Sequence, residues 1–358
     1  MVKVSVILPS LNVAKYIGEC LNSVVGQSLK DIEILCVDAG SEDGTIEIIK
    51  DFVKKDKRVR LILSDQKSYG HQVNMGIDLS NGEYIGIIET DDFISRDMYE
   101  RLYDYAKTLD ADVVKAPYYD FYNKNNKQLC YFYDELNHRI PIGQCFSMKE
   151  HGELLAYHPS IWSGIYKRKY LNEKSIRFIE AKGAGYVDVP FRIDACINTD
   201  RNAWYDRPLY YYRTTNPLSS SNRFDLETMI ERWKQVHSRL KTCKDLYDNY
   251  FAKYSITDEY DATLGHVGEM KISEEAYETL IENLSYVDES SIEESDVLRL
   301  AAKEKLIAFK NDPYRYYEEA YKFYHIKRFL RLCADQILPR GTRRRKMIKR
   351  LLSKKGIL

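Results

Sequence analysis

Strands and helices alternate along the first part of the chain, and this alternation constrains the fold more than any other feature. Residues 3–12 and 32–38 are apolar runs typical of buried strands, and both end in polar residues. Apolar residues recur at helical spacing over residues 14–27 and again over Thr45–Lys55. A β-α-β-α series of this kind predicts an α/β fold with a parallel sheet.

Three acidic side chains directly follow a third apolar run. Residues 82–88 lead into Glu89, Asp91 and Asp92. Open α/β sheets place ligands beyond the carboxyl ends of their strands, and oxygen ligands suit Mg²⁺ or Mn²⁺ bound to a diphosphate. An Asp-rich turn that caps the next helix is the alternative, and these residues by themselves leave both interpretations open.

Four segments together resemble the nucleotide-sugar-dependent family 2 glycosyltransferases. They are residues 4–12, residues 37–45, residues 74–77 with 82–85, and residues 89–92. Three further segments, at residues 159–166, 183–191 and 210–213, resemble the acceptor half of bacterial polysaccharide-building members. The resemblance covers residues 2–222 and implies the GT-A fold, a Rossmann-like and mostly parallel central sheet flanked by helices.

The resemblance implies roles for four carboxylates. Asp91 and Asp92 are expected to ligate Mn²⁺ or Mg²⁺, while Glu89, where relatives usually have Asp, is expected to reach the ribose or a metal-bound water. Asp188 matches the position of the general base. A single base implies direct displacement and therefore inversion at the anomeric carbon. A helix N-cap is the alternative role for Asp188.

Donor binding is expected at the ends of the first two strands. Asp38 matches a nucleotide-contacting position, with Pro9, Leu11 and Asn12 on the other side of the pocket. Relatives usually carry two Asp residues where this chain has Asp38-Ala39, and this departure bears on which nucleotide base the donor site selects.

Aromatic residues and one arginine complete the predicted site. Arg213 follows three tyrosines and is expected to clamp the diphosphate, the alternative being a surface arginine. Trp162, Tyr118 and Tyr119 are predicted to line the acceptor groove, because aromatic rings suit the apolar faces of sugars. A core role is the alternative for Trp162, and a strand-edge role for the two tyrosines.

The resemblance, the helical spacing of apolar residues and the charge of the C-terminus together predict three regions. Residues 1–222 form the glycosyltransferase domain, residues 223–338 a helical appendage, and residues 339–358 a basic amphipathic tail. Helices are expected over residues 224–250, 273–286, 291–309 and 313–338. No catalytic motif is found in these helices, which we expect to pack, to form a homo-oligomer or to position an acceptor.

The tail concentrates positive charge in a chain with 54 basic and 54 acidic residues. From Arg340 onward it carries nine Lys and Arg residues and no acidic one. Such a segment is predicted to bind an anionic membrane surface. A solvated tail, pairing with the acidic residues 288–296, or nucleic-acid binding are the alternatives, and no recognition motif supports the last. Because the N-terminus enters a strand at once and no apolar run approaches a membrane span, we expect a cytoplasmic protein, peripheral on the inner face of the plasma membrane.

The predicted activity is transfer of a sugar, with inversion, from a UDP-sugar to a saccharide or lipid-linked saccharide acceptor in cell-surface polysaccharide or glycoconjugate synthesis. Two alternatives are a catalytically degenerate scaffold, which Ala39 and Glu89 would favour, and a nucleotidyltransferase, which the first strand's Pro-containing end argues against. A nicotinamide dehydrogenase is excluded because no Gly-x-Gly-x-x-Gly follows the first strand.

Overall fold

The computed structural model describes most of the first 216 residues and several helices beyond them. The described ranges are 1–124, 127–132, 135–156, 158–216, 226–240, 273–285, 288–294, 298 and 300–337. The basic tail and the predicted boundaries at residues 222 and 338 lie outside them.

The first 87 residues alternate between strand and helix, as predicted. The elements are β1 (Val4–Ser10), α1 (Ala14–Val25), β2 (Ile32–Asp38), α2 (Thr45–Lys55), β3 (Val59–Leu63), α3 (Tyr69–Asp78) and β4 (Tyr84–Ile87). Every residue of β1, β2 and β4 is buried, as expected for strands covered by helices on both faces.

The following segment adds shorter elements. They are β5 (Phe93–Ile94), α4 (Met98–Leu109), β6 (Val113–Lys115), β7 (Tyr118–Lys124), β8 (Lys127–Phe132), β9 (Gly164–Lys167), α5 (Arg168–Glu173), α6 (Asp188–Ile197), β10 (Asn202–Trp204) and β11 (Tyr210–Arg213). Short 3₁₀ helices span Glu135–His138 and Gly152–Ala156.

Seven strands form the central sheet in the order β10-β6-β9-β4-β1-β2-β3. Most neighbours are parallel, but β9 runs antiparallel to both β4 and β6. A second sheet, β5-β11-β7-β8, contains the strand that ends at Arg213. The predicted α/β fold with a mostly parallel, helix-flanked sheet is therefore confirmed.

The described helices of the C-terminal region are α7 (Leu226–Leu240), α8 (Glu274–Ser285), α9 (Glu289–Glu293), α10 (Leu300–Asn311) and α11 (Pro313–Ile337). The single helix predicted over residues 291–309 is wrong, because α9 ends at Glu293 and α10 begins at Leu300. Between them, Glu294 lies in a turn and Leu298 in a bend. Helix α7 packs on α6, where Arg239 Nε lies 2.7 Å from Asp194 Oδ2. Among the described helices, none has the length and apolar character that a membrane span requires.

Candidate active site

Asp38 holds the ends of β1 and β2 together. Its carboxylate accepts hydrogen bonds from the N–H groups of Gly40 (3.0 Å) and Ser41 (2.7 Å) and from the hydroxyls of Ser10 and Ser41 (both 2.7 Å). The residue is 0% exposed. These four donors satisfy the two carboxylate oxygens, so the predicted contact between Asp38 and a donor would require the side chain to leave this network.

The other residues predicted at the donor pocket lie in the turn after β1. Pro9 is buried, and its carbonyl oxygen accepts a hydrogen bond from the Thr90 hydroxyl (3.0 Å). Asn12 has a φ of 55°, in the left-handed region that Asn tolerates, and its Oδ1 accepts from the N–H of Glu42 (2.9 Å). Leu11 is exposed, so among these positions it offers an apolar side chain to a ligand.

The three acidic residues that follow β4 point in different directions. Asp91 is partly exposed and lines a pocket, where its Oδ2 accepts a hydrogen bond from Asn216 Nδ2 (2.7 Å). Asp92 is 1% exposed and lies outside the pocket lining. Its two oxygens accept from the Tyr210 hydroxyl and the Arg213 N–H, both at 2.7 Å. Direct metal ligation by Asp92 would therefore require this buried carboxylate to become accessible from the pocket.

Glu89 faces the same pocket as Asp91 and is bonded to a residue that the sequence analysis did not select. The hydroxyl of Tyr69, the first residue of α3, donates to Glu89 Oε1 at 2.5 Å. Burial raises the pKa of Glu89 to about 8, with further contributions from the charges of Asp91 and Asp188, while the Tyr69 bond acts in the opposite direction. Glu89 therefore takes up a proton far more readily than an exposed carboxylate.

Helix α3 is fixed beneath the strand ends by Gln72. The Gln72 Nε2 group donates to the carbonyl oxygens of Ser10 (2.9 Å) and Val37 (2.7 Å). Gly70 permits a close approach on the other side, because a Cβ there would lie 2.1 Å from the Ile179 carbonyl oxygen. These contacts hold Tyr69 against Glu89. In the sequence, the adjacent Gly70 was the feature that indicated a close contact at this point.

Asp188 joins Glu89 and Asp91 in a pocket of about 290 Å³. It is the first residue of α6, and Pro190 occupies an early helical position, but no side chain caps this helix. Burial raises the pKa of Asp188, opposed by the helix-start N–H groups and by the positive charges of Arg192 and Lys115. Asp188 is therefore the first helical residue and not the N-cap, which is Val187, and its carboxylate lines the pocket.

Arg213 braces the acidic segment from outside the pocket. Its guanidinium donates to the Asp91 carbonyl oxygen (2.7 Å) and pairs with Glu19 (2.6 Å). The side chain is only 10% exposed and lies over the rings of Tyr16 and Phe121. The surface-arginine interpretation is therefore wrong, and a clamp on a diphosphate would require Arg213 to leave Glu19.

The aromatic residues divide between two faces of the second sheet. Trp162 lines the pocket and stacks on Tyr210 and Tyr212, with ring centroids 4.2 and 5.1 Å away. Tyr118 packs edge-on against Trp162 at 4.8 Å. Tyr119 instead stacks on Tyr211, because successive strand residues point to opposite faces. Tyr118 and Trp162 thus lie together, whereas Tyr119 lies apart from them.

Comparisons with known proteins bear on the family and the fold of the chain. Residues 5–173 match the model described as Glycosyl transferase family 2. This part of the chain is therefore similar to the family 2 glycosyltransferases.

Two curated relatives illustrate the similarity. The chain is 31% identical over 224 residues to the uncharacterized glycosyltransferase EpsJ of Bacillus subtilis (strain 168), covering 60% of this chain and 62% of that protein. It is 40% identical over 119 residues to the glycosyltransferase GlyG of Streptococcus pneumoniae serotype 4, covering 33% of this chain and 40% of that protein. The matches therefore span less than two thirds of the length of either relative.

Among solved structures, the chain resembles S. aureus TarS 1-349. The TM-score is 0.67 at 20% identity, and the match covers 89% of this chain and 91% of TarS 1-349. This similarity shows the GT-A fold, which confirms the fold class expected from the sequence.

Proposed function

We propose that this protein transfers a sugar from a nucleotide diphosphate donor, a UDP-sugar, to a saccharide or lipid-linked saccharide acceptor. The observation that carries the proposal is the convergence of Glu89, Asp91 and Asp188 on one pocket beside the carboxyl ends of the central strands. This is where open α/β folds bind ligands. A crystal structure of the similar TarS 1-349 contains UDP-GlcNAc, which supports a UDP-linked donor.

A divalent cation, Mn²⁺ or Mg²⁺, fits the residues that are present. No cluster of three acidic, His or Cys side chains able to hold a metal is found within the described ranges. Mg²⁺ in nucleotide sites is commonly held by one or two carboxylates together with substrate phosphates and water, so a closed protein cage is not needed. Asp91 is the accessible carboxylate and would hold the ion, which would neutralise the leaving diphosphate.

The neighbours of Asp91 keep that carboxylate in place. Arg213 binds the Asp91 carbonyl oxygen through its side chain and Asp92 through its backbone N–H. Asn216 binds Asp91 Oδ2. In this proposal Asp92 positions the turn that carries Asp91, while Glu89, held by Tyr69, faces the ribose side of the donor.

Asp188 is the proposed general base. It is the pocket carboxylate contributed by α6, whereas Glu89 and Asp91 lie in the turn that follows β4. A raised pKa brings a carboxylate nearer to the acidity that suits proton abstraction at neutral pH. A single base acting on the acceptor hydroxyl implies a direct displacement, so the product linkage is inverted relative to the donor.

The acceptor is proposed to bind against the aromatic wall of the pocket. Trp162 and Tyr212 line the pocket on the side of Asp188, and Tyr118 packs behind them. Flat apolar surfaces with hydroxyl groups at their edges match the faces of pyranose rings. A saccharide therefore fits this wall better than a charged or purely apolar acceptor.

Attachment to a membrane is a separate part of the proposal. The nine basic residues from Arg340 onward follow α11 and lie outside the described residues. Their charge supports contact with the anionic lipids of the inner leaflet, at about 1 kcal/mol for each basic group near the surface. A lipid-linked acceptor would be reached most readily from that position.

A thermal-shift screen tests the donor. Purified protein is heated with UDP, GDP, ADP or dTDP and with the corresponding sugars, each with and without Mn²⁺. A ligand at a hundred times its Kd stabilises the folded state by about 2.7 kcal/mol, and we expect UDP ligands with Mn²⁺ to give the largest shift. A positive hit is followed by slow hydrolysis of that nucleotide sugar. A shift with purine or thymidine nucleotides alone contradicts the donor assignment, and binding without any turnover favours the degenerate scaffold.

A further inference from the structure

Lys115 is a buried lysine with no role in the chemistry described above. It ends β6 and is 2% exposed. Its ammonium group donates to the carbonyl oxygens of Pro159 (3.3 Å) and Ser160 and lies 3.4 Å from Ser163 Oγ. Within the described part of the chain, no carboxylate forms an ion pair with it. Because a buried charge is costly without partners, these neutral oxygens account for its placement.

The segment bound by Lys115 is a tight turn over residues 160–163. Ser160 has a φ of 35°, in the left-handed region. Its carbonyl oxygen also accepts hydrogen bonds from the N–H (2.8 Å) and the hydroxyl (3.0 Å) of Ser163. Gly164 leaves room for the lysine, because a Cβ there would lie 2.2 Å from the Val114 carbonyl oxygen and 3.1 Å from the Lys115 side chain. The turn is therefore held from within the core.

This turn forms one wall of the pocket that contains Asp188. His158, Pro159 and Trp162 line that pocket. A second buried cation, Arg192 of α6, binds the carbonyl oxygens of Leu154 (3.2 Å) and Leu155 (3.1 Å), just before the wall. Two cations from different elements thus bind the main chain on either side of residue 158, and one of them belongs to the helix that begins with Asp188.

We propose that Lys115 is a positioning residue for the acceptor, which fixes the pocket wall of residues 158–162 and adds a positive charge near Asp188. The inference rests on the proposed function for the role of Asp188, but the contact with the wall can be tested without it.

The charged and titratable groups that face Asp188 come from five elements. Lys115 and Arg192 favour its ionised form, whereas Glu89 and Asp91 share the pocket as further carboxyl groups. Tyr69 and Tyr166 also interact with Asp188, and the negative charge of Asp188 contributes to their raised pKa values. Burial lowers the pKa of Lys115 to about 7, so its charge is present at the acidic pH where a carboxylate base loses activity.

The charged and titratable groups that face Lys115 are Cys196, Arg192, Asp188 and His158. Loss of the ammonium should therefore change two things at once: the order of the wall and the pH at which Asp188 becomes protonated. Substitution of a residue that only fills volume in the core would not selectively change the order of the wall or the pH at which Asp188 becomes protonated.

Hydrogen exchange of the apo protein tests the first effect. In Lys115→Met the amides of residues 160–163 should exchange at least about tenfold faster than in the wild type, with the rest of the central sheet unchanged. Lys167→Met is the matched control, since Lys167 lies on the neighbouring β9 and pairs with Asp110 (2.9 Å) outside the pocket. Lys115→Gln, whose amide can still donate to one carbonyl, replaces the methionine variant if that variant does not fold.

The pH profile of donor hydrolysis tests the second effect. With UDP-GlcNAc as the probe and water as the acceptor, the acid limb of kcat/KM should move to higher pH by up to about 1 unit in Lys115→Met and stay in place in Lys167→Met. Unchanged exchange in residues 160–163, exchange that increases throughout the sheet, or an unmoved acid limb would each overturn the proposal. If the wild type turns over no nucleotide sugar, the proposed function fails, and the exchange experiment still decides the contact of Lys115 with the wall.

Discussion

Asp91 and Asp92 are adjacent carboxylates for which the structure predicts opposite responses to substitution. Asp91 faces the pocket and is half-buried, whereas both oxygens of Asp92 accept buried hydrogen bonds. Asp91→Asn should therefore abolish Mn²⁺-dependent nucleotide binding with little effect on folding. Asp92→Asn should retain most of that binding, because the side chain of Asp92 positions the turn and does not face the ligand.

The expected cost at Asp92 follows from its two partners. In Asp92→Ala the Tyr210 hydroxyl and the Arg213 N–H both lose their acceptor, and a buried donor left unsatisfied costs about 1–3 kcal/mol. The free energy of unfolding should fall by about 2–6 kcal/mol. Asparagine keeps one carbonyl oxygen for the Arg213 N–H and can donate to the Tyr210 oxygen, so its cost should be about 1 kcal/mol. Burial and the charge of Asp91 raise the pKa of Asp92 well above its usual range.

Two measurements on the wild type, Asp91→Asn, Asp92→Asn and Asp92→Ala separate the roles of the two carboxylates. Urea unfolding ranks stability, with Asp92→Ala well below the wild type and both asparagine variants close to it. The shift in melting temperature on adding UDP with Mn²⁺ ranks binding, with Asp91→Asn giving none. If Asp92→Asn loses the shift as completely as Asp91→Asn while remaining folded, Asp92 is a metal ligand and the reasoning from its buried hydrogen bonds fails.

Three other outcomes are expected. Asp188→Asn should lower turnover by roughly 10²–10⁴-fold while UDP affinity is unchanged, and an α-linked donor should give a β-linked product by NMR; retention of configuration would contradict the mechanism. The pKa of Glu89 is about 8 in the folded protein against its ordinary value of 4.5, so the folded protein binds this proton more tightly than the unfolded chain does. The free energy of unfolding without metal should therefore fall as pH rises from about 5 to about 8. Glu89→Gln should flatten that dependence, and an equally steep slope in the variant would assign it to other groups. Deleting residues 341–358 should release the protein from anionic vesicles in a sedimentation assay, and unchanged binding would remove the tail from the proposal.

The strands and helices near the N-terminus were predictable because they follow local periodicity. Residues 45–55 form the helix α2 at the predicted bounds, since its apolar positions face the sheet at regular spacing. The predicted helix of residues 14–27 ends two residues earlier, at Val25, with Gly26 as its C-cap. Such patterns depend on neighbouring residues alone, and the sequence contains that information.

The directions of the site side chains could not be predicted in the same way. Arg213 and Asp92 are distant in sequence, and their pairing depends on how β11 packs beside the end of β4. Asp38 lies at a predicted strand end, but its burial depends on Ser10 of the neighbouring strand. Tyr119 is different, because the two-residue period of a strand already places it opposite Tyr118. Lys115 was also visible, as a single charge at the end of the apolar run Val113-Val114.

The reversed strand β9 has a consequence for synthesis on the ribosome. β9 fills the gap between β4 and β6, although both of those strands emerge earlier. Until residues 164–167 emerge, the edge of β4 that pairs with β9 in the folded sheet has no partner. All four residues of β4 are apolar, aromatic or glycine, and the folded protein buries them. Exposed apolar strand edges are templates for aggregation. The nascent chain is therefore exposed to aggregation until this segment is complete, and we expect the segments before and after β9 to fold as one unit.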